Sequence, residues 1–180
     1  MTAPVARSGR GDFRLHLATQ EDAPAIAALR NAVAADLTAR HGKGHWSSAS
    51  SERGVLFNLR TASVFVARGE SDAGEAGLLA TLQLATKKPW AIDPRYFTPC
   101  KTPLYLTDMA VAPGVQRQGI GRHCIEEVRF IAREWPRGAI RLDAYDAAAG
   151  AGDFYRKCGF REVGRVTYRK VPLIFFEMLL

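Results

Sequence analysis

Hydrophobic and polar positions alternate over "FRLHLA" (residues 13–18), the two-residue period of a strand with one buried face. Thr19 with Asp22 three residues on has the form of a capped helix start. "APAIAALRNAVAADLTARHG" then repeats its apolar positions at helical spacing up to a stop near Gly42. The polar "GKGHWSSASSERG" reads as a loop leading into a short helix around "SERGVLFNL". "SVFVAR" and "AGLLATLQLAT" are predicted strands joined by the acidic turn "GESDAGEAG". Residues 87–103 hold four prolines in little regular structure, and a loop of that length inside a domain tends to be functional or mobile. "LYLTDMAV" is the clearest strand. After the turn "APGVQRQG" a helix places Ile120, Cys124, Ile125, Val128, Ile131 and Trp135 on one side and ends at Pro136. The strand "AIRLDAY", a short helix in "AGAGDFYRKCGF" and two strands, "REVGRVTYRK" and "PLIFFEMLL", close the chain. No repeat or linker divides it. The expected organisation is a loose tail over residues 1–12 and one domain over residues 13–180.

The turn between the clearest strand and its helix asks for an explanation. Gly119 and Gly121 stand G-x-G at the helix start, flanked by Arg117 and Arg122. The first N–H groups of a helix lack internal partners, and the aligned peptide dipoles place about half a positive charge there. Glycines let an anion such as pyrophosphate approach that backbone. An ordinary connection needs fewer glycines and no such arginines. A P-loop is excluded, because Ile120 and Gly121 occupy the positions of its Lys and Ser/Thr. A dinucleotide fingerprint needs a third glycine where Cys124 stands, and only Asp143 downstream speaks for it.

Composition narrows the classes. Of 180 residues, 47% are apolar and 24% charged, a globular balance. No run reaches the roughly 18 apolar residues of a membrane span, and the opening "MTAPVARSGRGDF" has no apolar core of a signal peptide. The net charge of +7 suits a polyanionic ligand as well as nucleic acid. Its Lys and Arg residues are dispersed and not interleaved with aromatics, so nucleic acid is not expected. Three cysteines, scattered without metal-ligand spacing, read as reduced thiols of a cytoplasmic protein, with no metal expected.

"VQRQGIGR" matches the Q/R-x-x-G-x-G/A signature of the GNAT acyltransferase superfamily, with Gln116, Gly119 and Gly121 at its fixed positions. "LYLTDMAVAP" is similar to that family's central strand. "AGDFYRKCGF" resembles its second block, ending Tyr155, Gly159, Phe160. The order of strand, turn, helix, strand and short helix agrees over about residues 102–162, and "FRLHLATQED" suits the family's start. The resemblance implies an α/β (α+β) GNAT fold. That is a mixed central sheet of about six to seven strands with helices on both faces, splayed between the fourth and fifth strands.

It also implies chemistry. The co-substrate is acetyl-CoA, its pyrophosphate on the backbone of Gln116, Arg117, Gln118, Gly119, Ile120, Gly121 and Arg122. Its pantetheine arm is added to the strand edge at Met109, Ala110 and Val111, a pairing that needs only exposed backbone; Phe154 also contacts the cofactor. The reaction is direct transfer of the acetyl group to an amine of a small molecule or peptide. An amine of pKa near 10.4 loses about 4.6 kcal/mol to deprotonation at pH 7, so a base or a desolvating pocket must assist. Tyr155 is the expected acid for the departing thiolate, although its place beside Phe154 on an amphipathic helix alone reads as core. Asp108 and Glu177 are considered as base and neither is assigned; His16, His41, His45 and His123 show no partner pattern. Ala148 replaces the family's usual asparagine seven residues before the tyrosine, which removes one contact to the cofactor arm. Trp46, Trp90, Tyr96 and Phe97 are candidates for an apolar acceptor wall. A homodimer is allowed. A silent acyl-CoA-binding module and a basic nucleic-acid-binding protein are the rival readings.

Overall fold

The computed structural model describes residues 13–70 and 76–180; the expected tail over 1–12 and the turn at 71–75 lie outside the described residues. In chain order the elements are β1 (Leu15–Leu17), α1 (Ala23–His41), α2 (Glu52–Thr61), β2 (Ser63–Glu70), β3 (Ala76–Ala85), β4 (Pro103–Val111), α3 (Ile120–Glu134), β5 (Ala139–Tyr145), α4 (Gly152–Lys157), β6 (Arg161–Tyr168) and β7 (Val171–Leu179). Local chemistry sets several of their boundaries. The Thr19 N–H donates to Asp22 Oδ2 at 2.8 Å ahead of α1, and Ser51 Oγ accepts from the Gly54 N–H at 3.1 Å to cap α2.

The strands form one seven-stranded sheet in the order β1-β2-β3-β4-β5-β7-β6. All its neighbours are antiparallel except β4 and β5, which are parallel and pair over only three rows, Pro103–Tyr105 against Ala139–Arg141. Beyond Tyr105 the two strands part, as the resemblance implies. On one face α3 and α4 cover Phe65, Leu82, Leu104, Leu106, Ile140, Leu142 and Phe176, with Ile125 and Val128 of α3 buried among them. Full burial of each such aliphatic side chain contributes about 1.5–3 kcal/mol. On the opposite face α1 and α2 bury Ile26 and Val55 against Val64 and Val66.

Among the described residues, the same face carries no helix over β5, β7 and β6. There the loop between β3 and β4 takes the helix's place, burying Ile92 and Phe97 against Tyr105 and Phe175. An ion cluster ties this loop down. Glu177, 1% exposed, accepts from Arg141 Nε (3.2 Å), Arg161 Nη2 (3.3 Å) and the Thr98 N–H (3.3 Å), while Arg141 Nη2 donates to the Thr98 carbonyl. Arg141 also lies over the Phe97 ring at 4.8 Å. Glu177 is therefore consumed by packing. Removing one partner of a buried pair leaves the other charge uncompensated. Glu177→Gln is accordingly expected to cost about 3 kcal/mol, read as a lower urea midpoint with an unchanged m-value.

Candidate active site

The queried turn puts its glycines to two different uses. Gly119 caps α3 with φ of 86°, a left-handed conformation open to glycine at little cost, and a Cβ built there meets nothing within 4 Å. Gly121 is needed inside: a Cβ there lies 3.1 Å from the Phe154 ring, so this glycine lets α3 pack on α4. Arg117 also has a positive φ, 61°, which bends the chain back before the helix. Among the described residues, no loop or capping acceptor takes the backbone N–H groups of residues 117–122. Arg117, Gln118, Gly119 and Arg122 are exposed, and neither arginine pairs with a described carboxylate. The turn is thus a row of unused donors at a helix N-terminus. Ile120 points the other way, buried in the core, so only its backbone faces out.

Two glutamines brace the turn. Gln116 Nε2 donates to the Val111 carbonyl at 3.0 Å, and Gln118 Nε2 to the Gly114 carbonyl at 3.4 Å. The structure thus places Gln116 as a strap between turn and strand.

On the side of β5 no described strand pairs with β4 from Leu106 to Val111, because β5 has already diverged, and only the Val111 carbonyl is taken, by the Gln116 side chain. On its other side Ala110 and Val111 pair with Thr81 and Ala80 of β3. Between Thr81↔Ala110 and Gln83↔Thr107, β3 spends one residue where β4 spends two, which makes a bulge at Asp108 and Met109. Asp108 accordingly has a positive φ of 51°.

The bulge sends its two side chains to opposite faces. Met109 packs on the α3–α4 side, where the Tyr155 hydroxyl approaches its Sδ at 4.0 Å. Tyr155 is 8% exposed, and its ring lies against Phe154, Phe160 and Phe176. Burial, with the charges of Asp143 and Cys158, pushes the phenol far above its ordinary pKa and keeps it protonated. A thioether is a weak acceptor, so the hydroxyl stands beside the bare strand edge with its donor capacity nearly unspent.

Asp108 lies on the other face, half exposed, with its Oδ2 3.7 Å from Arg30 Nη1 of α1. Asp143 of β5 stands on this face too, since its neighbours Leu142 and Ala144 belong to the α3-side core. Burial above all, then the charge of Asp108, raises the Asp143 carboxyl, against a lowering backbone hydrogen bond. Burial, then Asp143 and Asp108, also raises Tyr145, whose hydroxyl reaches the His45 carbonyl at 3.4 Å and whose ring neighbours Trp46. A cleft of about 560 Å³ opens here between α1, α2 and the bulge, lined by Arg30, Ser50, Arg53, Phe57, Asn58 and Asp108 among others.

Of the four aromatic wall candidates, Trp46 alone adjoins this region. Phe97 is core, Tyr96 packs edge-on against Phe175, and Trp90 stands 85% exposed. His123 is tied to the Phe13 carbonyl at 2.7 Å. Asp143 and Arg30 were not singled out for this site by sequence; the only trace of Asp143 was its place downstream of the glycines.

Residues 60–162, more than half of the chain, match the family described as the acetyltransferase (GNAT) domain. The protein belongs to the GNAT acetyltransferase family. Solved structures agree in fold. A GNAT-family acetyltransferase from Listeria monocytogenes superposes with a TM-score of 0.68 at 17% identity, covering 93% of this chain and 95% of its own. A ribosomal-protein-alanine N-acetyltransferase from Brucella melitensis gives 0.65 at 20% identity, over 92% and 99%. The protein yncA from Salmonella typhimurium, solved with its cofactor acetyl-CoA, gives 0.63 at 17% identity, over 94% of each chain. No curated protein sequence matches the chain.

The raised Asp143 carboxyl has a consequence for stability. The folded state holds this proton more tightly than the unfolded chain, so ionising the group weakens the fold as pH rises through the folded pKa. Asp143→Asn is expected to raise Tm at pH 7, with the gain vanishing below about pH 4, where the carboxyl is protonated in both states. Thermal melts across that range check it.

Proposed function

We propose that this protein is an acetyl-CoA-dependent N-acetyltransferase that transfers the acetyl group directly to an amine of a small molecule or peptide. One observation carries the reading: the bare edge of β4 runs from Leu106 to the donor row at Gly119, with the Tyr155 hydroxyl beside its middle at Met109. The residues fit the co-substrate. The N–H groups of 117–122 with Arg117 and Arg122 suit a pyrophosphate, and the space around Gly119 is open to it. The edge at Met109, Ala110 and Val111 suits the pantetheine amides, and Phe154 closes the wall behind them. Bound there, acetyl-CoA supplies the acetyl group as an activated thioester.

Asp143 is the base in this reading. Its raised carboxyl is better matched to taking a proton from an ammonium near neutral pH than an ordinary carboxylate is. Asp108 adds negative charge that favours the ammonium in the cleft. Tyr155 donates from the opposite face to the departing sulfur. The nitrogen–carbon bond forms as the carbon–sulfur bond breaks. Of the two protons the nitrogen gives up, one passes through Asp143 to solvent, and the other restores the proton Tyr155 gave the thiolate. The net products are an amide, the free thiol and one proton. The raised carboxyl of Asp143, within electrostatic reach of Asp108 on the cleft wall, favours an active enzyme over a silent CoA-binding module. Three thiols without disulfide partners among the described residues suit a cytoplasmic setting.

Release of free thiol from acetyl-CoA, followed over a panel of amines, tests the reading. Amine-dependent release is expected, whereas a silent module gives none. Tyr155→Phe should lower it about 100-fold with little loss of stability, because the hydroxyl bonds only a thioether. Gly119→Ala should cost about 1 kcal/mol of stability and weaken acetyl-CoA binding in calorimetry at least about tenfold.

A further inference from the structure

We infer that the amine acceptor is a small molecule carrying its own carboxylate, as an amino acid does, with that carboxylate seated on Arg30 and Arg53 and its ammonium on Asp108. This rests on the proposed N-acetyl transfer and names the acceptor class.

The cleft's charges carry the inference. Two arginines and one aspartate line it, so an amine without an anion would meet an excess of positive charge. Arg30 is itself under-satisfied. Its side chain is 11% exposed, yet its Nε and Nη2, one edge of the guanidinium fork, have no hydrogen-bond partner. Its Nη1 stands 3.7 Å from Asp108 Oδ2, too far for a hydrogen bond. Those two donors are themselves buried, so Arg30 contributes its positive charge to the cleft, while the exposed Arg53 can meet a carboxylate with two parallel bonds.

Arg53 and Ser51, at the start of α2, offer further donors from the opposite wall, and Asn58 lies a turn or so along. The wall is fixed in place. Asn31 Nδ2 donates to the Ser50 carbonyl at 2.9 Å, and its Oδ1 accepts from the Ser50 N–H at 2.7 Å, locking the loop before α2 onto α1. The cationic and anionic poles lie side by side at the bulge, as the two ends of an amino acid do. The cleft volume, about 560 Å³, suits a small molecule. Phe57, 57% exposed on its rim, offers apolar surface to a side chain.

The test uses the whole protein with CoA present and two readouts: calorimetric binding of the common amino acids and of their amides, and thiol release from acetyl-CoA with the same compounds. At least one amino acid should exceed its amide by about ten- to a hundredfold, the worth of a charge-assisted bond. That preference should fall towards one in Arg53→Gln and in Arg30→Gln. Arg53 is exposed, so its variant keeps the test alive should the Arg30 variant fold poorly. Equal or better use of the amides, or of polyamines, overturns the inference and leaves N-acetyl transfer standing. Arg53-dependent binding of amino acids without any thiol release upholds the carboxylate seat and removes the transferase reading. Absence of amino-acid binding at millimolar concentration overturns the seat.

Discussion

Two parallel strands that hydrogen-bond over three rows and then diverge leave backbone groups of β4 without a strand partner. In a sheet such groups are ordinarily paired or covered, because an unpaired buried peptide group is costly. Here the chain leaves them facing a gap, and much of the site follows from that gap. It turns the middle of the sheet into an edge. The β4 bulge, with its positive φ at Asp108, sits on this edge. The strand then runs out into a turn whose own N–H groups, at residues 117–122, find no loop or capping acceptor among the described residues. Strand edge and helix N-terminus make one continuous line of donors and acceptors, nearly all of it main chain.

The gap also joins the two faces of the sheet. Elsewhere the sheet is a wall, with the α3 core on one side and the α1–α2 and loop cores on the other. At the bulge, consecutive residues reach both sides. Met109 meets the buried Tyr155 hydroxyl, and Asp108 meets Arg30. Their environments differ accordingly. Tyr155 is enclosed by aromatic rings and holds its proton, whereas Asp143 is pushed up by burial and a neighbouring carboxylate. Titratable groups that are held apart in this way are suited to separate acid and base duties.

How far the sequence revealed this depends on whether a feature is local. The strand, G-x-G turn and helix are legible because hydrophobic period and backbone conformation are written in neighbouring residues, and the splay followed from the family resemblance they carry. Gly121 shows the limit. Its spacing marks it as part of the turn, but that it makes room for Phe154 depends on α4, more than 25 residues on. Asp143 was hidden for the same reason, since its carboxyl is raised first by burial in the fold and then by Asp108 on another strand. Glu177, considered as a base, is a buried structural acid, because its partners Arg141, Arg161 and Thr98 converge only in the fold. The loop before β4 looked like an acceptor wall because its aromatics are conspicuous. Phe97 instead serves the core, packed with Ile92 against Tyr105 and Phe175.

The central claim, that β4's free edge and the turn at Gly119 together hold coenzyme A, is tested most directly by amide hydrogen exchange with and without CoA. Residues 106–111 and 117–122 should both slow on CoA addition, with little change in β2 and β6. Protection confined to other segments, or none at saturating CoA, would contradict the account.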